Sequence, residues 1–350
     1  MFRSRNMTAV ILAGGEGTRL RPLTLNRPKP LMPVAGRPCI EFAIRSLVKA
    51  GLKDQIITAG YKADMIKEAL GDGGRFGASI QYSFEETPLG TAGAVKKVEG
   101  HLDGTFVVIS GDVLADVNIK TLVEFHRKKA AMATMALTKV KEPTQFGIVG
   151  LDKAGGIIKF KEKPKAEEVF SNLINAGIYV LEPEVMDLVP KDTKFDFSKD
   201  TFPQVLEKYP GELFGRAIKG LWMDIGRPSD LLEANFRVVG REGKKRTFRG
   251  VRFASPSVID DNALVSRATK VKGPCYLGAH AKVGGRSILD TVAIYEKAIV
   301  EEATLTRSIV LEGGTVSPGA VLENTIVGRN TVVGPGKILK DQTLADDASN

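Results

Sequence analysis

Cysteine is scarce in this sequence, which contains only Cys39 and Cys275 among 350 residues. The two lie far apart and neither belongs to a CxxC motif, so the sequence offers neither a disulfide framework nor a zinc site. Neither thiol has a recognisable activating context, which argues against cysteine catalysis. This usage is typical of a protein that folds in a reducing compartment.

Long apolar segments are also missing. The longest runs, such as residues 9–13 and 106–109, are far too short to span a bilayer. Residues 1–6 contain neither an apolar leader segment nor a cleavage signal. We therefore expect a cytoplasmic protein without a membrane partner.

Recognised nucleic-acid-binding motifs are absent, although 50 Lys and Arg against 41 Asp and Glu leave a formal net charge of +9. A basic surface attracts small phosphorylated ligands as readily as it attracts nucleic acid. The densest basic run, residues 237–252, is interpreted as a solvated connector. We therefore expect no nucleic-acid partner.

The first half of the chain alternates strand and helix patterns. Its composition, 43% hydrophobic and 26% charged, is that of a globular protein long enough for two domains. Short apolar runs that predict strands are separated by amphipathic segments, such as the one in which Ile40, Ile44 and Leu47 recur at helical spacing. This order predicts a doubly wound sheet that binds ligands beyond the carboxyl ends of its strands.

The C-terminal part has a different pattern, in which aliphatic residues recur every six positions with glycine and small residues between them. The recurring residues form four groups, which are Val258 and Leu264, then Val271, Leu277, Val283 and Leu289, then Val310, Val316 and Leu322, and then Ile326, Val332 and Ile338. Shifts of phase between the groups suggest inserted loops. A six-residue period is typical of a hexapeptide β-helix, in which each coil buries its aliphatic residues against the next. We predict a Rossmann-like, doubly wound, mostly parallel α/β domain in residues 1–240, a basic linker in residues 241–254 and a β-helix in residues 255–350.

The strongest motif is LAGGEGTRLRPLTLNRPKPLMPVAG, residues 12–36. Gly14, Gly15 and Gly17 follow the first predicted strand, so the backbone can approach a polyphosphate and direct N–H groups at it. The P-loop pattern GxxxxGK[ST] is absent, and Leu20 stands where a dinucleotide-binding fingerprint needs glycine or alanine.

Two fixed cations, Arg19 and Lys29, distinguish this segment from a generic glycine-rich turn. A triphosphate that loses pyrophosphate needs positive charge at both its leaving and its transferring groups. Pro28 and Pro30 flank Lys29 and stiffen the backbone around it.

The segment resembles the signature of the sugar-1-phosphate nucleotidylyltransferase (NDP-sugar pyrophosphorylase) family. Five further segments match in the family's order over about the first 230 residues. They are PLGTAGA at 88–94, GD at 111–112, FKEKP at 160–164, INAGIYV at 174–180 and WMDIGRP at 222–228. Within the family the chain is most similar to the mannose-1-phosphate guanylyltransferase branch, which implies a left-handed C-terminal β-helix.

The resemblance implies a set of site residues, which serve catalysis, nucleotide binding and sugar binding. The catalytic residues are Arg19, Lys29, Asp112 and Lys163. The nucleotide-binding residues are Leu12, Ala13, Gly14, Gly15, Gly17, Thr18, Glu85, Gly90 and Thr91. The sugar-binding residues are Glu162, Asn175 and Gly177.

Asp112 and Asp224 are the expected ligands of Mg²⁺, the expected cofactor. Asp112 follows Gly111 at the end of a buried predicted strand, and Asp224 lies in the WMD motif. Two carboxylates together with phosphate oxygens suit Mg²⁺, which prefers few protein ligands and retains several waters. Either aspartate alone would be interpreted as a helix cap or turn residue, but both occur in motifs of the family.

The expected reaction joins a nucleoside triphosphate to a sugar 1-phosphate and releases pyrophosphate. The attacking phosphate oxygen is already ionised at neutral pH, so the enzyme needs no general base and works by positioning and charge neutralisation. We expect direct in-line attack on the α-phosphorus, with Arg19 on the departing phosphates, Lys29 at the transition state and Lys163 on the sugar phosphate.

Glu85 is the residue expected to select the base. In the family, the residue five positions before the first glycine of PLGTAGA borders the base, and here that glycine is Gly90. Thymidylyl- and uridylyl-transferring relatives typically have glutamine, which can donate and accept, whereas a carboxylate only accepts and suits the two neighbouring donors of guanine. GTP with mannose 1-phosphate is therefore the first expectation, and dTTP or UTP with glucose 1-phosphate the alternative. A solvated charge at a strand end is the other interpretation of Glu85.

Three further hypotheses concern the rest of the chain. Hexapeptide β-helices often contain acyltransferases with a histidine base, for which His280 is a candidate, although an exposed turn histidine is the simpler interpretation. A catalytically inactive regulatory subunit would lack phosphate- and metal-binding residues, which this sequence retains. The β-helix is expected to mediate a homo-oligomer.

Overall fold

The computed structural model describes residues 7–349 of the chain. Residues 1–6, where the sequence predicts no leader segment, lie outside the described residues. The described chain divides into two compact units. The first unit comprises residues 7–15 and 39–222, and the second comprises residues 16–38 and 223–349.

The α-helices are short, and between residues 7 and 349 none is long and apolar enough to cross a membrane. They are α1 (Cys39–Lys49), α2 (Ala63–Leu70), α3 (Gly90–Lys96), α4 (Ile119–Lys129), α5 (Phe202–Lys208) and α6 (Pro228–Glu242). Helix α1 buries Ile40, Ile44 and Leu47 completely, which is the face that their spacing predicts.

Strands account for most of the remaining regular structure. As far as residue 224 they are β1 (Ala9–Ala13), β2 (Pro33–Val34), β3 (Arg37–Pro38), β4 (Asp54–Ala59), β5 (Ser79–Phe84), β6 (Phe106–Ser110), β7 (Val113–Val117), β8 (Ala133–Lys139), β9 (Gly147–Leu151), β10 (Ile157–Glu162), β11 (Leu173–Leu181), β12 (Leu213–Ala217) and β13 (Gly220–Asp224). The following strands are β14 (Lys244–Phe248), β15 (Val251–Ile259), β16 (Leu264–Val265), β17 (Lys270–Val271), β18 (Cys275–Leu277), β19 (Lys282–Gly284), β20 (Ile288–Ile294), β21 (Ile299–Glu301), β22 (Thr304–Val310), β23 (Thr315–Val316), β24 (Val321–Glu323), β25 (Ile326–Val327), β26 (Val332–Val333) and β27 (Ile338–Lys340).

The first unit contains a large sheet with a parallel centre. Strand β1 lies between β4 and β6 and is parallel to both, and β5 continues the parallel part beyond β4. Because β1, β4 and β6 run in one direction, their carboxyl ends meet at one edge, where the chain continues into Gly14, Gly60 and Gly111. This topology confirms the predicted Rossmann-like α/β class.

The other half of this sheet is antiparallel, so the sheet is mixed rather than mostly parallel. Strand β11 runs against β6, β8 and β9, and β9 runs against β10. Strand β12 is parallel to β8. Apolar periodicity identifies strands but does not encode their direction, which explains the difference from the sequence prediction.

The second unit contains the predicted β-helix, in which strands of successive coils stack in parallel. Val283, Val300, Val316 and Val333 align in register along one column and are all buried. Helix α6 packs along one side of these coils, against β15, β18, β20 and β22. The left-handed sense of the coil stays a prediction from the resemblance.

Some aliphatic residues of the six-residue pattern face outward, although the pattern predicts that they are buried. Leu264, Val332 and Ile338 are exposed, whereas the following Val265 and Val333 are buried. Successive side chains of a strand point to opposite faces, so a pair of adjacent aliphatic residues does not reveal which one faces inward.

Residues 241–254, the expected basic linker, contain regular secondary structure. They contain the end of α6 and most of an antiparallel hairpin in which β14 pairs with β15. Strand β14 is the edge of the β-helix sheet, and its charged residues Lys244, Lys245 and Arg246 are exposed. Charged side chains on an edge strand prevent pairing with other chains, which gives this basic run a structural explanation.

Adjacent Val332 and Val333 allow a matched test of the inward and outward faces. Val333→Ala is expected to lower the free energy of unfolding by about 2 kcal/mol because it removes two buried methyl groups and leaves a cavity. Val332→Ala, at a side chain that is 41% exposed, should cost about 0.5 kcal/mol. Urea unfolding of both variants measures the difference, and equal losses would contradict the orientation of this strand.

Candidate active site

A cavity of about 250 Å³ opens at the carboxyl edge of the parallel strands in the first unit. The chain forms it from the ends of β1, β4, β5 and β6, from the start of α3 and from a loop around residue 195. Its lining residues are Leu12, Gly14, Gly15, Thr58, Glu85, Pro88, Gly90, Thr91, Ala94, Ser110, Asp112, Lys194 and Asp196.

Most of the nucleotide-binding residues that the sequence predicts for this unit line the cavity. Leu12, Gly14, Gly15, Glu85, Gly90, Thr91 and the catalytic candidate Asp112 are among its lining residues. Ala13 is buried at the end of β1 and is not among them. Gly17 and Thr18 belong to the second unit.

Glu85 directly follows β5, is half-buried and lines this cavity. Its Oε2 accepts a hydrogen bond from the backbone N–H of Leu89 at 3.1 Å. Its Oε1 lies so close to Gly14 that a Cβ there would be 3.0 Å away. Burial raises the pKa of the Glu85 carboxyl, whereas the Leu89 hydrogen bond and the charge of Lys97 oppose that rise.

The start of α3 is held by residues 193–197, which the sequence analysis did not identify. Gly90 has a φ of +71°, and a Cβ there would lie 2.7 Å from the carbonyl oxygen of Phe195, so only glycine fits. Thr91 Oγ1 contacts Asp196 at 3.3 Å and accepts the N–H of Phe197 at 2.9 Å. These contacts bring Lys194 and Asp196 to the cavity. No local sequence signal marks them because they arrive by tertiary contact.

The predicted sugar-binding residues form a polar cluster in the same unit. Asn175 Nδ2 donates to the hydroxyl oxygens of Tyr179 at 2.9 Å and Ser198 at 3.0 Å, and its Oδ1 accepts the N–H of Gly177 at 2.9 Å. Burial raises the pKa of Glu162, and the nearby charge of Lys163 counteracts this shift. Glu162 also forms a side-chain hydrogen bond with Ser198. The structure therefore brings Glu162, Asn175 and Gly177 together around Ser198, which has no signal in the local sequence.

Lys163 follows directly after β10 and has an exposed side chain. Its φ of 44° lies in the left-handed region, and its N–H donates to the carbonyl oxygen of Phe146 at 3.1 Å. This hydrogen bond holds the backbone, and because the side chain is exposed, its ammonium group is accessible to a phosphate from solvent.

The second unit contains the other predicted cations, and both contact Asp224. Lys29 is only 4% exposed and its Nζ lies 2.7 Å from Asp224 Oδ1. Arg19, whose side chain is 52% exposed, contacts Asp224 Oδ2 at 3.3 Å. A buried ammonium group requires such a partner, whereas the exposed guanidinium group of Arg19 is accessible to an anion.

Gly17, which precedes both cations in the chain, lies at a position of the glycine-rich segment where only glycine fits without strain. Its φ is +64°, and a Cβ there would lie 2.9 Å from the Cβ of Lys29. Its carbonyl oxygen accepts the Thr24 hydroxyl at 2.9 Å. Glycine therefore permits the close approach that packs Lys29 into the loop.

Residues 8–239 match the nucleotidyl transferase family. The chain belongs to this family. The match covers the cavity, both cations and all the residues predicted for catalysis and binding, which confirms the family suggested by the sequence motifs.

Curated relatives of this nucleotidyl transferase span nearly the whole chain. A UTP–glucose-1-phosphate uridylyltransferase of Synechocystis sp. is 33% identical over 360 residues, covering 97% of this chain and 92% of the relative. A mannose-1-phosphate guanyltransferase of Yarrowia lipolytica is 37% identical over 335 residues, covering 94% of this chain and 88% of the relative. A solved structure of a putative glucose-1-phosphate thymidylyltransferase from Bacillus anthracis, in complex with a sucrose, superposes with a TM-score of 0.61 at 28% identity and covers 69% of this chain and 98% of that one.

The two predicted Mg²⁺ ligands have different surroundings in this nucleotidyl transferase. Within residues 7–349 no group of three or more His, Cys, Asp or Glu side chains could hold a metal ion. Asp112 lines the cavity of the first unit, where a carboxylate and phosphate oxygens would suit Mg²⁺. Asp224 has both carboxylate oxygens in contact with Lys29 and Arg19, so a cation there would share them.

His280, the candidate base of the acyltransferase hypothesis, is an exposed residue in the turn after β18, with a φ of 57°. This position matches the simpler interpretation of an exposed turn histidine. The acyltransferase hypothesis stays untested by the geometry.

Proposed function

We propose that this nucleotidyl transferase joins GTP to mannose 1-phosphate, forming GDP-mannose and pyrophosphate. Relatives that span most of the chain are named as sugar-1-phosphate nucleotidyl transferases, several of them for mannose 1-phosphate and guanine. The observation that carries the choice of base is the half-buried carboxylate of Glu85 in the cavity. The alternative is dTTP or UTP with glucose 1-phosphate, which the names of other relatives support.

The preference for guanine follows from hydrogen-bond chemistry. A carboxylate can only accept, and guanine presents two neighbouring donors at N1 and the exocyclic amine. Thymine and uracil present acceptors on both sides of a single donor, which would leave one of their acceptors facing the carboxylate. A ligand that leaves a buried polar group of the site without a hydrogen-bond partner binds much more weakly than one that pairs with it, so such a group discriminates strongly between ligands.

The phosphates of the nucleotide are assigned to backbone N–H groups and to the two cations of the glycine-rich segment. Gly14 and Gly15 line the cavity and have no side chain to keep a phosphate away. Arg19 would bind the departing phosphates, and Lys29 would neutralise the charge that develops in the transition state.

The sugar phosphate is assigned to Lys163, and the sugar to Glu162, Asn175 and Gly177. An ionised oxygen of the sugar phosphate attacks the α-phosphorus, and the bond between that phosphorus and the bridging oxygen to the β-phosphate breaks. Pyrophosphate leaves with the bonding electrons, so no side chain has to remove a proton.

Mg²⁺ is the proposed cofactor, with Asp112 as a ligand together with phosphate oxygens of the triphosphate. When bound it would supply positive charge to the phosphate oxygens. Participation of Asp224 as a second ligand stays a prediction, as do assembly into a homo-oligomer through the β-helix and a cytoplasmic location.

The decisive experiment measures pyrophosphate release with GTP, dTTP, UTP, ATP and CTP, each paired with mannose, glucose and N-acetylglucosamine 1-phosphate. The highest kcat/KM is expected for GTP with mannose 1-phosphate. No release with any pair would contradict the enzyme assignment, and a preference for dTTP or UTP would favour the alternative.

Glu85→Gln is expected to erode the preference for GTP over dTTP and UTP by at least tenfold, because the amide adds a donor where guanine presents its own donors. Glutamine can still accept the Leu89 N–H, so the local structure should persist. Glu86→Gln, at the exposed neighbouring position, is the control. Competition assays measure the nucleotide ranking, and an unchanged ranking in Glu85→Gln would remove the proposed role.

Asp112→Asn is expected to lower kcat at least a hundredfold, because loss of a metal ligand removes charge stabilisation from the transition state. Asp116→Asn provides a control on the neighbouring strand β7, where Asp116 pairs with Lys49 at 3.1 Å. Assays across a Mg²⁺ titration and in EDTA measure the dependence. Full activity in EDTA would refute the metal site.

Lys163→Ala is expected to raise KM for the sugar 1-phosphate at least tenfold while changing KM for the triphosphate less than about threefold, since the lysine is assigned to the acceptor phosphate. Lys161→Ala, which removes an ion pair with Glu168 instead, is the control. Initial-rate kinetics with each substrate varied separately test this. Equal effects on the two substrates would mean that Lys163 serves another group.

A further inference from the structure

The two proposed phosphate-binding cations lie on a segment that belongs to the β-helix unit. Residues 16–38 cluster with residues 223–349, whereas Gly15 and the sheet belong to the other unit. Strand β2 within this segment packs against α6, which itself lies along the β-helix coils. Arg19 and Lys29 therefore belong to the same compact unit as α6 and the coils.

The first anchor of the segment is a two-point ion pair between Arg27 and Glu312. Arg27 Nη1 and Nη2 each lie 3.1 Å from one carboxylate oxygen of Glu312. The Arg27 side chain is only 12% exposed, so solvent screens this pair less than it screens a surface pair. Two parallel hydrogen bonds fix the orientation of the guanidinium group relative to the carboxylate as well as the distance between them.

Arg27 is separated from Lys29 by a single proline. Pro28 precedes a turn of 3₁₀-helix, Lys29–Leu31, whose second residue Pro30 has a fixed φ. The backbone N–H groups of Leu31 and Met32 donate to the carbonyl oxygens of Pro28 and Lys29 at 2.9 and 3.0 Å. This stiff turn transmits the position of the Arg27 backbone to the Lys29 backbone.

The second anchor is a buried network centred on Asn235 of α6. Asn235 Oδ1 accepts the backbone N–H of Ala35 at 2.9 Å and the hydroxyl of Tyr295 at 2.6 Å. Its Nδ2 donates to the carbonyl oxygens of Pro33 at 3.1 Å and Leu231 at 3.0 Å. The amide thus uses two donors and two acceptor positions, which is its full capacity.

The coil residues of the two anchors lie at corresponding ends of neighbouring strands. Tyr295 is the first residue after β20, Glu312 is the second residue after β22, and these two strands pair in parallel. Residues 27–35 are therefore held at one point by Glu312 of a coil and at a second point by Asn235 of α6, which in turn contacts Tyr295 of the neighbouring coil, with Lys29 between the two points.

We propose that Glu312, Tyr295 and Asn235 are positioning residues that set the location of Lys29 and Arg19 for phosphate chemistry. The β-helix thereby contributes to turnover within a single chain, in addition to any role in assembly. This inference rests on the proposed function, in which these two cations neutralise phosphate charge. Small displacements of such a group lower the rate of the chemical step more than they lower substrate binding.

Glu312→Gln tests the first anchor in the full-length protein. Glutamine preserves size but weakens the charge-assisted fork. The expected result is a fall in kcat of at least tenfold, with KM for the triphosphate changed less than threefold. Tyr295→Phe removes only the hydroxyl that contacts Asn235 and should produce a smaller effect of the same kind.

Asp346→Asn is the matched control, because Asp346 accepts a hydrogen bond from the backbone N–H of Arg329 at 2.9 Å and forms a 3.0 Å ion pair with the Arg329 side chain at another turn of the β-helix. Thermal unfolding of all variants separates loss of stability from loss of positioning. A fall in kcat for Asp346→Asn equal to that for Glu312→Gln would overturn the proposal, since general destabilisation would then explain both.

A double-mutant cycle tests whether Arg27 and Glu312 act as one unit. Arg27→Gln and Glu312→Gln should each lower kcat, and the double variant should be no slower than the slower single variant. Multiplicative effects would mean independent roles and would contradict the proposal.

Hydrogen exchange measured by mass spectrometry gives a readout independent of activity. Exchange in peptides covering residues 16–38 should become faster in Glu312→Gln and stay unchanged in Asp346→Asn. Unchanged exchange in Glu312→Gln would overturn the inference. If the wild type releases no pyrophosphate with any substrate pair, the proposed function fails while the exchange data still decide whether the coils hold this segment.

Discussion

The buried ammonium group of Lys29 is the constraint on which the arrangement of the glycine-rich segment depends. A charge that is 4% exposed is costly unless a counter-charge and hydrogen bonds compensate for its lost hydration. Asp224 provides that compensation at 2.7 Å and also contacts Arg19. Because one carboxylate contacts both cations, the two positive charges are fixed relative to each other.

The glycine-rich motif is distributed over the two compact units. Gly14 and Gly15 end the central strand and line the cavity of the first unit, whereas Gly17 and the cations pack with α6 and the coils. The chain passes from one unit to the other between Gly15 and Glu16. Gly17 then allows the loop to pack on Lys29, since any Cβ at this position would collide with that side chain.

Sequence patterns predicted the parts of this structure that depend on local chemistry. The helical spacing of Ile40, Ile44 and Leu47 and the glycines after β1 could be interpreted without knowing the fold. The parallel centre of the sheet and the β-helix followed from the order of elements and from the six-residue period. The resemblance to the family supplied most of the candidate site residues, and their roles stay proposals.

Features that depend on distant contacts could not be predicted in this way. Lys194, Asp196 and Ser198 reach the cavity or the sugar cluster through the loop that holds α3, and nothing in their local sequence indicates it. The choice between Val332 and Val333 as the buried residue depends on strand orientation, which an apolar pair does not encode. The partition of residues 16–38 into the β-helix unit depends on contacts across more than two hundred residues, such as Arg27 with Glu312, which are separated by 285 positions.

Loss of hydration makes buried Lys29 dependent on Asp224, and it also gives half-buried Glu85 its capacity to discriminate between bases. Burial raises the pKa of Glu85, so the ionised carboxylate carries a cost that one hydrogen bond from Leu89 and the charge of Lys97 only partly offset. A ligand that donates further hydrogen bonds to this carboxylate stabilises its ionised form, whereas a ligand that presents an acceptor adds repulsion.

As the pH is lowered, Glu85 becomes protonated at a higher pH than an ordinary glutamate, because its pKa is raised. The added proton would turn an acceptor into a donor. The preference for guanine should therefore weaken on acidification at a higher pH than for an exposed glutamate, and nucleotide competition assays from pH 8 down to about pH 5, with Glu85→Gln as the pH-insensitive reference, measure that loss.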